Sequence, residues 1–236
     1  MTKYSDPFVE AFRDFLNGKT NEELAIYVNN EFSENMPVGY FFRSYNEMPQ
    51  LEQIALKECK GNVLDIGAGA GCHSLILQEK GIDVTALDIN KGFVDIMEQR
   101  GIKRIVHSDI FDFNKGRFDT LLMLMNGIGF TVDFKGLERF LSQAKELLNP
   151  NGRILLDSSD LLYLFEEEDG SYKIPLTGDY YGKVVYQIEY KNRKGEPFKW
   201  IFIDYSTLLQ YAHKMGYKCE LLYANNFHYL AKLTGE

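Results

Sequence analysis

Between residues 62 and 156 two periodicities take turns along the chain. Short runs that are apolar at nearly every position alternate with stretches where apolar side chains recur every three to four residues. The first kind reads as strands buried on both faces, the second as amphipathic helices. The pattern predicts strands at Val63–Ile66, Val84–Leu87, Ile105–His107, Phe118–Met125 and Arg153–Leu156. Helices are predicted over Cys72–Lys80, Lys91–Arg100 and about Phe134 to Leu148. Alternation of this kind builds βαβ units, and therefore a mostly parallel, doubly wound α/β sheet with helices on both faces.

The flanks follow other rhythms. Ser5-Asp6-Pro7 opens a helix that carries Phe8, Phe12, Phe15 and Leu16 at helical spacing and stops at Gly18. Thr20-Asn21-Glu22-Glu23 has the capping-box pattern and predicts a second helix, and Asn46–Cys59 predicts a third. Residues 1–60 are thus expected to form an N-terminal helical lid on a domain spanning 61–236. After Asp157 a helix is predicted over Leu161–Asp169. Lys183–Lys191 and Pro197–Asp204 flank Asn192-Arg193-Lys194-Gly195 and predict a β-hairpin, inserted at about residues 171–204. A helix over Ser206–Met215 and two strands, Tyr217–Tyr223 and Phe227–Leu233, complete the sheet with an antiparallel edge.

Composition narrows this picture modestly. The 236 residues are 45% hydrophobic, enough for a substantial core. Three cysteines are too few and too odd in number for a disulfide framework, which points to reduced thiols and a cytoplasmic setting. A net charge of −8 opposes the phosphate attraction of nucleic-acid binding, and no apolar run approaches a membrane span. The expected partner is a small molecule, with the chain a monomer or homodimer. Twenty glycines are ordinary as a total; their placement is not.

Val63-Leu64-Asp65-Ile66-Gly67-Ala68-Gly69-Ala70-Gly71 begins as a buried strand and breaks into alternating glycines before a helix. Glycine permits positive φ and lets a ligand approach the backbone, and the first strand-to-helix turn of a doubly wound sheet borders the ligand crevice. Such loops serve dinucleotide and nucleotide binders alike. The third glycine comes one residue early for G-x-G-x-x-G, where Cys72 stands. Asp65 would repel a pyrophosphate but suits a ligand ammonium. Asp88 ends the second strand, where a carboxylate accepts both ribose hydroxyls. Asp109 follows the third strand and can take an adenine amine, with Ile89 and Ile110 on either side of the ring.

In this order Val63–Gly71, Asp88, Asp109 and the strand Phe118–Met125 resemble the motifs of class I (Rossmann-like) S-adenosylmethionine-dependent methyltransferases. The resemblance covers roughly Leu51 to Leu156, and the last strands match the family's reversed edge strand. It implies a seven-stranded sheet, S-adenosyl-L-methionine as cofactor and S-adenosyl-L-homocysteine as product. It places Asp65 near the methionine amine and Gly67, Ala68, Gly69 and Gly71 around the methionyl and ribose parts. Asp88 falls on the ribose and Asp109 on the adenine. Cys72-His73 flanks that pocket, and Met125-Asn126 lies between cofactor and acceptor. Arg43, after the aromatic run Tyr40-Phe41-Phe42, is expected to pair with the cofactor carboxylate, while Tyr40 or Phe41 covers the sulfonium.

Methyl transfer is an in-line displacement, so alignment matters most, and a base is needed only where the acceptor loses a proton. Candidates for that role are His73, Asp133, Tyr180, Tyr181 and His228, none favoured by the sequence. The loop at Met125-Asn126-Gly127-Ile128 differs from that of amino-methylating DNA enzymes, and no Pro-Cys pair follows the fourth strand. The expected activity is methyl transfer to a small molecule under the N-terminal segment. A non-catalytic S-adenosylmethionine or nucleotide binder and an NAD(P)-dependent oxidoreductase are the alternatives.

Overall fold

The computed structural model describes residues 6–167, 169–173 and 178–235. Helix α1 (Pro7–Leu16) starts on Asp6, whose carboxylate accepts the Phe8 amide; Ser5 lies outside the described residues. The chain then departs from the expected second helix and forms an antiparallel hairpin, β1 (Glu23–Val28) and β2 (Glu31–Pro37). Leu24 and Ile26 are buried while Glu23 is exposed, a period of two. Asn29 and Asn30 both take left-handed dihedrals in a two-residue turn matched to strand twist. Strand-period burial and this turn outweigh the capping pattern at Thr20–Glu23.

Two 3₁₀ turns, Val38–Phe42 and Tyr45–Glu47, lead into α2 (Gln50–Glu58), which buries Leu51, Ala55 and Leu56. The predicted alternation follows. It runs β3 (Asn62–Ile66), α3 (Cys72–Glu79), β4 (Asp83–Asp88), α4 (Lys91–Gln99) and β5 (Ile105–His107). After that come β6 (Phe118–Met123), α5 (Phe134–Leu147) and β7 (Leu148–Ser159). The chain finishes with β8 (Lys183–Tyr190), β9 (Arg193–Lys194), β10 (Phe198–Ile201), α6 (Tyr205–Lys214), β11 (Tyr217–Asn225) and β12 (His228–Gly235).

Seven strands make the main sheet, in the order β11-β12-β7-β6-β3-β4-β5. Strands β3 to β7 are parallel to one another, while β12 runs antiparallel to β7 and to β11. This is the expected Rossmann-like sheet with its reversed strand. Both faces are covered: Leu64, Leu121, Ile154 and Leu156 pack with residues of α5 and α6, and Val63, Leu122, Leu155 and Leu230 with residues of α2 and α3. Each such side chain contributes about 1.5–3 kcal/mol of burial.

The stretch expected to be helical at 161–169 forms only the 3₁₀ turn Leu161–Phe165, and residue 168 lies outside the described residues. Asp160 caps that turn through the Leu162 amide, and the Glu166–Tyr172 bridge then draws the backbone into an extended pairing. The inserted hairpin is present, with residues 174–177 outside the described part. Its turn falls at Lys191-Asn192, both left-handed, and β8 is paired by β9 and then by β10. Strand β8 also pairs with β1, from Ala25 opposite Glu189 to Val28 opposite Tyr186. The N-terminal hairpin and the insertion therefore share a second sheet, β10-β8-β1-β2 with β9 on β8. That sheet crosses the expected boundary at residue 60.

Candidate functional site

Strands β4 and β5 extend the sheet to one side of β3, β6 and β7 to the other, so the winding reverses between β3 and β6. The carboxyl edge at such a reversal is where a doubly wound sheet opens a crevice. The glycine loop sits there. Gly67 and Gly69 have φ of +71° and +56°, and a Cβ on either would meet nothing within 4 Å. Gly71 differs: a Cβ there would stand 2.2 Å from Ile102 Cδ1. Two glycines leave room for a ligand, and the third lets α3 pack on residues 97 and 102. Gly71→Ala is expected to destabilise the fold by about 2 kcal/mol or more, read by urea denaturation.

Asp88 holds this loop. Its Oδ2 accepts the Gly69 amide at 2.9 Å and its Oδ1 the Asn90 amide at 2.8 Å, in a site only 5% exposed. Burial pushes its carboxyl up from the usual range. Asp65 is buried beneath the loop, accepts from Ser74 Oγ at 2.7 Å, and is likewise pushed up by burial. Ala68 is buried, and the Ala70 carbonyl is gripped by the Arg100 guanidinium. Beyond Asp88, Ile89 stands 65% exposed, an apolar side chain left facing out of the edge of the crevice. Asp109 accepts the Phe111 amide and opens a 3₁₀ turn on buried Ile110.

A second group lies on the α2 side of the sheet. Arg43 donates through Nη2 to both oxygens of Glu52, at 2.7 and 2.9 Å, and His73 Nε2 meets Glu52 Oε2 at 2.7 Å. All three side chains are buried, and the Tyr40 ring covers the Arg43 guanidinium at 3.5 Å. Burial alone would raise the Glu52 carboxyl, but His73 and Arg43 bring it below its ordinary value. Burial opposes a charged His73, yet Cys72, Glu52 and Asp65 hold its imidazolium well above the usual range. Among the described residues, Arg43 Nε and Nη1 are buried without a hydrogen-bond partner. Phe41 packs instead on Phe8 and Phe12.

The third group surrounds the loop after β6. Met125 and Asn126 are left-handed at φ of +60° and +56°. The Asn126 amide donates to Asp157 Oδ1, its Oδ1 accepts from Ser159 Oγ, and its carbonyl accepts the Trp200 indole N–H from β10. Asp157 Oδ2 also meets His228 Nε2 at 2.7 Å. Tyr181 donates its hydroxyl to Asp160, Tyr180 donates to Asp204, and Asp133 caps α5 through the Gly136 amide.

Sequence reasoning missed Glu52 and Asp157. Glu52 is an acid inside the buried stripe of α2, between Leu51 and Ala55. Asp157 follows Ile154-Leu155-Leu156 as Asp88 follows Val84–Leu87, the same acid-after-apolar-strand signal one strand further on. The residues present fit the cofactor that the resemblance implied. Buried, unpartnered guanidinium nitrogens suit its carboxylate, two open glycines its close approach, and Asp88 and Ile89 its adenosyl part.

Residues 64–156 match the family model of a methyltransferase domain. A solved structure of an S-adenosylmethionine-dependent methyltransferase from Bacteroides fragilis, in complex with S-adenosyl-L-homocysteine, is 40% identical. That alignment covers 100% of this chain and 97% of the other, with a TM-score of 0.89. Among curated proteins, a glycine/sarcosine N-methyltransferase of Halorhodospira halochloris is 31% identical over 103 residues, 40% of this chain and 38% of its own length. A cypemycin N-terminal methyltransferase of Streptomyces sp is 29% identical over 102 residues, 42% of each. The chain thus spans about two fifths of the length of these curated relatives. No helix among the described residues is long and apolar enough to cross a membrane. Identity of 40% along the full length, at a TM-score of 0.89, goes beyond a shared fold: this chain belongs to the S-adenosylmethionine-dependent methyltransferases, and S-adenosylmethionine is its cofactor.

Proposed function

We propose that this chain methylates an amine nitrogen of a small-molecule acceptor. The observation that carries this reading is the wall beyond the cofactor loop: Asn126 is fastened from the main sheet by Asp157 and Ser159 and from the second sheet by Trp200. This sets a carboxylate-held loop and an indole ring beside the carboxyl end of β6, a setting that suits a cationic or amine-bearing ligand. The N-methyltransferase names of the curated relatives support the same acceptor atom.

S-Adenosylmethionine supplies an electrophilic methyl group on a sulfonium. The chain's own residues then bind and align. In this proposal Arg43 pairs with the carboxylate of the methionine part, held in place by Glu52 beneath and Tyr40 above. Asp65 faces the ammonium end, Gly67 to Gly71 carry the close backbone contact, and Asp88 takes the ribose. Asp109, Ile89 and Ile110 receive the adenine, and residues 36–43 form the closing segment. Asp88→Ala is expected to weaken S-adenosylhomocysteine binding more than tenfold by calorimetry; unchanged affinity would remove the ribose assignment.

The acceptor is tested by incubating the chain and S-adenosylmethionine with panels of small amines, alcohols and thiols while following S-adenosylhomocysteine release. Turnover confined to amines is expected; turnover confined to another panel overturns the reading. The oxidoreductase alternative falls with family membership.

A further inference from the structure

Resting on the amine reading above, we propose that His228, held by buried Asp157, is the group that takes the proton released by the methyl acceptor. The two side chains come from neighbouring antiparallel strands. His228 opens β12 directly opposite Ser159, at the carboxyl edge of the main sheet where β7 ends. Asp157 is 1% exposed, and its two oxygens divide the work: Oδ1 accepts the Asn126 amide and Oδ2 engages His228 Nε2 at 2.7 Å. A carboxylate on Nε2 fixes that nitrogen as the N–H and leaves Nδ1 with its lone pair. The His228 side chain is 41% exposed, and no described residue takes Nδ1.

The other candidates are committed elsewhere. His73 is buried and engaged with Glu52, while Tyr181 and Tyr180 give their hydroxyl protons to Asp160 and Asp204. Burial and these carboxylates push both phenols far up, so neither accepts a proton near neutral pH. Asp133 is spent on a helix cap. Phe227, next to His228 in the chain, packs on Tyr163 at a centroid distance of 5.3 Å, and Trp200 reaches the same Asn126 that Asp157 holds. Aromatic rings on the segments that carry this imidazole and its carboxylate suit an ammonium group that is to be deprotonated.

The step balances without a further reagent. An ammonium acceptor gives one N–H proton to His228 Nδ1, which makes an imidazolium paired with Asp157, and the freed nitrogen lone pair forms the N–C bond. The methyl–sulfur bond breaks with its electron pair left on sulfur. His228 returns its proton to water through its exposed face. Net, one ammonium and one sulfonium become one methylated ammonium, one thioether and one proton.

The test uses the full chain, S-adenosylmethionine and three amines in falling order of basicity: glycine, glycinamide and aminoacetonitrile. A base matters most for the amine most fully protonated. His228→Asn is therefore expected to cut kcat about a hundredfold or more with glycine, less with glycinamide and least with aminoacetonitrile. S-Adenosylhomocysteine affinity and Tm should stay near wild type, since His228 is partly exposed and its hydrogen bond goes to Asp157, not to the glycine loop. Asp157→Asn should give the same ranking with smaller losses, the mark of a positioning residue. Equal losses across the three amines, or none, would show that the pair only staples β12 to β7 and overturn the proposal while sparing the amine reading. Turnover confined to the alcohol or thiol panel would remove that reading and this proposal together.

Discussion

Glu52→Ala should lower the stability of the chain by about 3–5 kcal/mol, because it strands two buried cations at once. Glu52 is the shared counter-charge of Arg43 and His73, at 2.7 Å from each, and all three side chains are 7% exposed or less. For a domain of this size the loss lowers Tm by on the order of 10 °C, measurable by calorimetry. The same variant should flatten part of the pH profile of stability. Glu52 titrates below its ordinary 4.5 in the fold, so its contribution is complete above that value and is lost as acid protonates it. His73 titrates above its ordinary 6.5, so its contribution is complete below that value and is lost as base removes the proton. Wild type should thus gain most from the cluster between these two values, and Glu52→Ala should lack that maximum. A variant as stable as wild type at pH 5.5 to 6 would mean that the cluster contributes no net stability.

Arg43→Ala should act on the ligand more than on the fold. Glu52 keeps His73 as a partner, so the stability loss is smaller, but two unpartnered nitrogens, Nε and Nη1, disappear. Hydrogen bonds to a charged group are worth about 1.5–3 kcal/mol, which corresponds to a loss of S-adenosylhomocysteine affinity of about 10- to 100-fold. Arg43→Lys should recover part of it, since an ammonium keeps the charge but not the planar fork or the stacking on Tyr40. Calorimetric titration separates the cases: equal affinity in wild type and Arg43→Ala would place the carboxylate elsewhere.

The main sheet was legible because its central strands β3, β4 and β6 are largely buried apolar runs, and each leads on to a helical repeat. Asp65, Asp88 and the glycines stood out for a related reason: an acid or a run of alternating glycines at the end of a buried apolar strand is not what filling a core calls for. What stayed hidden was hidden by local ambiguity or by distance. Glu23–Val28 carries helix-friendly acids at its start, and only pairing with Tyr186–Glu189 and with β2 decides for a strand. Glu52 reads as one more charge on an amphipathic helix until Arg43 and His73 are placed against it from other segments. His228 and Asp157 are separated by seventy-one positions and meet only through strand pairing.

The second sheet has a consequence for how the chain comes to be assembled. Its strands β1 and β2 leave the ribosome early, yet β1 cannot complete its pairing until Tyr186–Glu189 has been synthesised more than 150 residues later. During that interval Leu24 and Ile26 lack the neighbour that covers them, and an isolated two-stranded hairpin is marginal in water. Nucleation should therefore begin in the parallel sheet, with the N-terminal hairpin joining last, as contacts of long sequence separation generally do. The segment bearing Tyr40 and Arg43 follows directly from β2. That segment should thus settle at the end of folding, after the parallel sheet that carries the glycine loop is in place.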